Sequence, residues 1–187
     1  MENTKINNNY NSTQLKISIG FFGESYAGKT CLLGRFFTGT YKMLPPTVIP
    51  TTTLFVKQIK IKDKDISLTV NFIDTPGQSR YLDINKIVMK NLQGIVLVYD
   101  ITALETFNTL KTLISVANEC NCSPSVLIGL KLDLEKERVI KKEEALAFAK
   151  INGMKYFEVS ALNGDNVNQL FDDIISYIVE NNTSLVI

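Results

Sequence analysis

The octapeptide Gly23-Glu24-Ser25-Tyr26-Ala27-Gly28-Lys29-Thr30 constrains this chain more than any other stretch. It has the form G-x-x-x-x-G-K-S/T, preceded by the strand-like run LKISIGFF (residues 15–22) and followed by residues 31–37, which read as helix. Between a strand and a helix, the glycines let the backbone wrap closely, so that successive N–H groups converge on phosphate oxygens. The helix N-terminus adds the positive end of its dipole. In that setting Lys29 is placed to neutralise terminal phosphates and the Thr30 hydroxyl to ligate Mg²⁺. The loop alone does not choose a base, since kinases of small metabolites, ATPases and GTPases share it.

The rest of the chain supplies an α/β frame for such a loop. Residues 54–61 and 66–73 alternate with a period of two around KDKD, the pattern of a hairpin with one solvated side. GIVLVYD (94–100) and SVLIGL (125–130) are continuous apolar runs, as in central strands covered on both faces. Between them lies a helix with Phe107, Leu110, Leu113, Ile114 and Ala117 on one side, opened by a capping box of Thr102 and Glu105. KKEEALAFAK predicts a further helix and MKYFEVS a last strand; the final helix sets Val167, Leu170, Phe171, Ile174 and Ile178 on one face. Strands alternating with helices predict a mostly parallel sheet, to which the hairpin adds one antiparallel edge strand.

With 187 residues, 45% hydrophobic and 21% charged, the chain suits one soluble domain over 15–180. It is flanked by a flexible polar segment, 1–14, and a short tail, 181–187. The net charge of +1 gives no reason to expect a nucleic-acid partner. No apolar run approaches the roughly 20 residues of a membrane span, and the Asn-rich start lacks a secretory signal. Cys31, Cys120 and Cys122, without any histidine, read as plain thiols of a reducing cytosol and not as a metal set.

A second motif, Asp74-Thr75-Pro76-Gly77-Gln78, directly follows a strand. A carboxylate at a strand's C-terminal end sits beside the phosphate loop in such folds, so Asp74 is a candidate to hold Mg²⁺ through water. The Gly77 amide is placed to sense the terminal phosphate, and the Gln78 amide to orient a water for in-line attack.

Taken in order, GESYAGKT, DTPGQ, GIVLVYDIT, LKLD and VSAL resemble the motifs of the Ras superfamily of small GTPases. The details most resemble the Rab branch: VYDIT followed by ETFN, then RVIKKEEALAFAKING and YFEVSALNGDNV. The resemblance implies a P-loop NTPase three-layer domain, with a six-stranded mostly parallel sheet, one antiparallel edge strand and about five flanking helices. It implies GTP or GDP with Mg²⁺ as ligands, slow hydrolysis by Gln78 and Lys29, and two shape-changing loops: switch I over 38–53 and switch II over 74–90. The implied nucleotide contacts are Gly23, Ser25, Tyr26, Ala27, Gly28, Lys29, Thr30, Cys31, Tyr41 against the guanine, Gly77, Lys131, Asp133, Ser160, Ala161 and Leu162. Metal ligands are Thr30, Asp74 and a switch I threonine, which is Thr47 by distance from Lys29 or Thr51 by distance to Asp74. Implied partners are an exchange factor, a GTPase-activating protein and effectors, bound through the switches of a monomer in the cytoplasm or at the cytosolic face of vesicles.

The chain departs from that family in places. Where the pattern is Asn-Lys-x-Asp, it reads Leu130-Lys131-Leu132-Asp133. Asp133 can still accept from the guanine ring N–H and exocyclic amine, and Lys131 can lay its stem along the base. Leu130 can neither contact the base as an amide does nor tie this loop to the phosphate loop. Tyr26 is bulky for a position that is usually small, Ile73 replaces a common tryptophan, and no terminal cysteine is present for a lipid anchor, so membrane association would need a lipidated tail or a partner. Two readings follow: a Rab-like switch in vesicle traffic, or a pseudo-GTPase scaffold that binds nucleotide weakly or not at all. An adenine-nucleotide phosphotransferase is opposed by Asp133 and by Ser160-Ala161-Leu162.

Overall fold

A computed structural model of the chain describes residues 13–42, 53–61, 66–122, 126–164 and 166–181. Thr47 and Thr51 lie outside the described residues, as do the expected N-terminal segment and C-terminal tail apart from Thr13, Gln14 and Asn181.

Six strands form one sheet: β1 (Thr13–Phe22), β2 (Thr53–Ile61), β3 (Ile66–Asp74), β4 (Gly94–Asp100), β5 (Val126–Leu130) and β6 (Lys155–Val159), in the order β2-β3-β1-β4-β5-β6. β2 runs antiparallel to β3, with Ile61 opposite Ile66, and every other pair is parallel. The continuous apolar run of β4 is explained by its two covered faces. Val96 and Val98 turn toward α1 (Lys29–Thr38) and α5 (Val167–Asn181). Ile95, Leu97 and Tyr99 turn toward α2 (Leu82–Met89), α3 (Leu104–Glu119) and α4 (Lys142–Ile151). All five predicted positions of the last helix are buried, at no more than 3% exposure, which gives α5 its single apolar face. Phe36 of α1 stacks on Phe171 of α5 with ring centroids 3.8 Å apart, fixing the helix that follows the phosphate loop.

The sheet grows away from β1 on one side through β3 and on the other through β4. Connections therefore leave β1 in opposite directions, and a crevice opens at the carboxyl ends of the parallel strands. Each motif singled out in the sequence follows one of those ends.

Two local expectations are corrected, and one helix carried no signal in the sequence. α1 begins at Lys29, two residues before the predicted helix, because Gly28 at φ +102° turns the chain straight into it. α2, preceded by a 3-10 turn at Ser79–Tyr81, had no periodic signal: Ile84 and Ile87 are 41% and 66% exposed, while Asn85 faces inward. The capping box does not form. The Thr102 hydroxyl donates to Asp100 Oδ1 (2.7 Å), Ala103 occupies the N-cap, and no side chain caps α3. Thr106 Oγ1 instead accepts from the Asp100 N–H (2.9 Å) and donates to the Ala103 carbonyl (2.7 Å).

On the α3 side, Tyr99 is fully buried and its hydroxyl pairs with that of Tyr156 at 2.9 Å. Burial pushes Tyr99 up to about 12; burial and the hydrogen bond to Glu158 raise Tyr156 as well. Tyrosines of the unfolded chain ionise near pH 10. Both groups therefore contribute stability that is whole below pH 10 and is lost as pH rises toward about 12. Urea midpoints at pH 9 and pH 11 should show this fall, and Tyr99→Phe should flatten it.

Candidate nucleotide-binding site

The phosphate loop leaves β1 at Gly23 and enters α1 at Lys29. The first helical bond of α1 runs from Leu32 N to Gly28 O (2.9 Å), so the N–H groups ahead of it have no intrahelical partner. Glu24 holds the first turn of the loop: one carboxylate oxygen accepts from Ser25 N (3.0 Å), the other from the Thr109 hydroxyl on α3 (3.2 Å). Ala27 is fully buried and Ser25 half-buried, while Tyr26 is 73% exposed at φ +65°, a conformation unfavourable for so bulky a side chain.

Lys29 lies beneath the loop, 5% exposed, and donates to the carbonyls of Gly23 (2.8 Å) and Glu24 (2.9 Å). Burial lowers its pKa to about 8, against the opposing pull of Asp74 and Glu24. Thr30 donates its hydroxyl to Asp74 Oδ2 at 2.5 Å. The other oxygen, Asp74 Oδ1, is buried without a hydrogen-bond partner, and burial raises the pKa of this carboxyl despite Thr30 and Lys29. An orphaned carboxylate oxygen next to a threonine hydroxyl is an oxygen donor set suited to Mg²⁺. The fit is positive: Thr30 and Asp74 would hold it.

Gly77 presses on the phosphate loop. A Cβ at this position would lie 2.4 Å from Ser25 N and 2.7 Å from Gly23 O, so only glycine allows the approach. Gln78 follows it, exposed to solvent at the mouth of a cleft bounded by Gly23, Glu24, Asn85 and Thr109.

The base side is built from the ends of β5 and β6. Lys131, at φ +65°, pairs its ammonium with buried Asp100 (2.5 Å). Asp133 is exposed, and its Oδ1 accepts from the Ser160 hydroxyl at 2.5 Å. Burial, the Cys31 thiol and the Asp133 carboxylate raise the pKa of Tyr41. Ala161 is buried and Leu162 half exposed, so this turn can offer its backbone but not inward side chains. Behind the loop, Arg138 donates to both oxygens of Glu158 (2.7 and 3.0 Å) and to both of Glu135 (2.8 and 2.6 Å), fixing the 3-10 segment Leu132–Glu137.

One expectation is overturned here. Leu130 does reach the phosphate loop: it is 1% exposed, and its Cδ1 would stand 3.0 Å from a Cβ built on Gly28. The tie is apolar packing in place of a hydrogen bond. Sequence reasoning also passed over Glu24, Asp100 and Arg35. Asp100 alone carried a signal, since it ends a central strand as Asp74 does.

A glycine-flanked loop between β1 and α1, with a carboxylate from β3 on its threonine, belongs to the P-loop GTPase fold. The sequence profile of the Ras family matches residues 19–180. The Arabidopsis thaliana Ras-related proteins RABC2b and RABC2a are each 34% identical over 173 residues, covering 89% of this chain and 81% and 79% of theirs. Ras-related protein Rab-13 of Canis lupus familiaris is 34% identical over 157 residues, 81% of this chain and 74% of its own. The chain belongs to the Ras family of small GTPases and is Rab-like. GTP hydrolysis is the general reaction of that family, and its members bind guanine nucleotides. No helix among the described residues is long and apolar enough to cross a membrane.

The apolar tie makes Leu130→Asn informative. The amide should tighten GDP binding by about 1 to 3 kcal/mol, roughly 10- to 100-fold. It should also lower the melting temperature of the nucleotide-free protein, because a buried leucine contributes about 1.5 to 3 kcal/mol. Fluorescent-GDP titration and thermal unfolding of the same sample read both effects.

Proposed function

We propose that this protein binds GTP and GDP with Mg²⁺, hydrolyses GTP slowly, and acts as a nucleotide-dependent switch in vesicle traffic. The observation that carries the reading is the Lys29, Thr30 and Asp74 cluster under the phosphate loop, with Asp74 Oδ1 buried and unpartnered. Asp133 accepts from the guanine ring N–H and exocyclic amine, an arrangement adenine does not offer. Lys29 gives up its two loop carbonyls to neutralise the terminal phosphates. Bound Mg²⁺ supplies further neutralisation of charge that develops on the phosphoryl oxygens. Gln78 orients the attacking water, and its exposure leaves it disordered in aim until a partner packs over it, which is why unaided turnover is slow. Effectors dock through the two switch regions, next to which Leu54 and Val56 on β2 are 58% and 51% exposed, with Leu54 paired to Ile73.

Freshly purified protein should release near-stoichiometric GDP or GTP on denaturation, identified by chromatography. A protein that emerges empty and takes up no GTP with Mg²⁺ at millimolar concentration would be the scaffold of the competing reading.

A further inference from the structure

We infer that Arg35 is a positioning residue for the guanine-reading carboxylate of Asp133, bracing it from the helix that carries the phosphate site. The inference rests on the guanine-binding reading above and names how this chain holds its base reader without the usual amide.

Arg35 sits on α1, six residues after Lys29. Its Nη2 donates to the carbonyl of Asn163 at 2.8 Å. A Cβ on Gly164 would fall 2.0 to 2.4 Å from three atoms of the guanidinium, so the group lies flat against that glycine and fits nothing larger. From there the path is continuous. Asn163 N donates to Ser160 Oγ (3.1 Å), and Ser160 Oγ donates to Asp133 Oδ1 (2.5 Å). Gly164 N donates to Ser160 O (3.0 Å), closing the turn on itself.

The direction of each bond matters. A serine hydroxyl has one hydrogen; once Asn163 N occupies its acceptor side, that hydrogen is aimed at Asp133. Asp133 is exposed, so water competes for its oxygens, and Ser160 fixes one of them and orients the other. Arg35 holds the peptide that aims Ser160. Meanwhile α1 is itself fixed by the stacking of Phe36 on Phe171. The brace thus joins the phosphate end of the site to its base end by hydrogen bonds, alongside the apolar contact of Leu130 on Gly28.

The test compares GDP with IDP, whose hypoxanthine lacks the exocyclic amine. A carboxylate aimed at both donors should prefer GDP by roughly 10- to 100-fold in the wild type. Arg35→Met, which keeps the apolar stem, should lower that preference at least about fivefold while the melting temperature of the nucleotide-free protein stays unchanged. Arg35→Lys, able to donate to Asn163, should restore part of it, and Leu130→Asn should blunt the effect of Arg35→Met. A merely structural arginine would weaken GDP and IDP equally, and that result, or no change in either, overturns the inference. Should Arg35→Met unfold, Arg35→Gln, which removes the guanidinium and keeps a polar end, is read the same way. Wild-type protein that binds neither nucleotide sinks the guanine-binding reading and this inference together; wild-type binding with an unmoved ratio sinks the inference alone.

Discussion

Lys29→Ala should leave a folded protein that no longer retains guanine nucleotide. The two halves of this result have one cause. Burial holds the Lys29 pKa near 8, so the fold disfavours the ammonium where it stands. Removing it relieves that cost but leaves the Gly23 and Glu24 carbonyls without their donor, so the nucleotide-free protein should stay folded and melt within a few degrees of wild type. The ligand meets the opposite situation, because its terminal phosphates lose a desolvated cation that faces them. Truncating one member of a buried charge pair costs about 2 to 5 kcal/mol, a factor of roughly 30 to several thousand in affinity. Displacement of fluorescent GDP and thermal unfolding measure the two halves separately. GDP binding within threefold of wild type would mean that the loop does not cradle phosphate.

Gln78→Leu should act on turnover alone. The side chain is exposed and contributes nothing to the core, while its neighbour Gly77 lies against the phosphate loop. Loss of water orientation should lower single-turnover hydrolysis about 100-fold. GTP affinity should stay unchanged, since no part of the amide is needed to hold the ground state. Hydrolysis that survives the substitution would move the water-positioning role elsewhere; affinity that falls with it would make Gln78 a binding residue.

The frame of the molecule could be read from the chain because its signals are local. The covered runs of β4 and β5, the alternating hairpin and the apolar stripe of α5 each follow from a periodicity that burial imposes. α2 escaped because tertiary packing overrode pattern: Asn85 is buried and Ile84 and Ile87 are not. The capping box escaped for a different reason. Thr102 fits the pattern, but the Asp100 carboxylate two residues earlier competes for the same hydroxyl and wins. In the candidate site, the meeting of the phosphate loop with Asp74 was legible because each motif follows the carboxyl end of a strand. Arg35, Asn163 and the Leu130 contact were not. They join segments far apart in the chain, and nothing in a single sequence marks which side chain will meet which peptide.

The packing of Leu130 on Gly28 gives the contact between these two loops a thermal character of its own. A hydrogen-bonded tie is chiefly enthalpic and tightens as the temperature falls. Apolar contact weakens on cooling, because its driving force near room temperature is entropic. The apolar part of the joint between the loop after β5 and the phosphate loop is therefore firmer in the warm protein than in the cold.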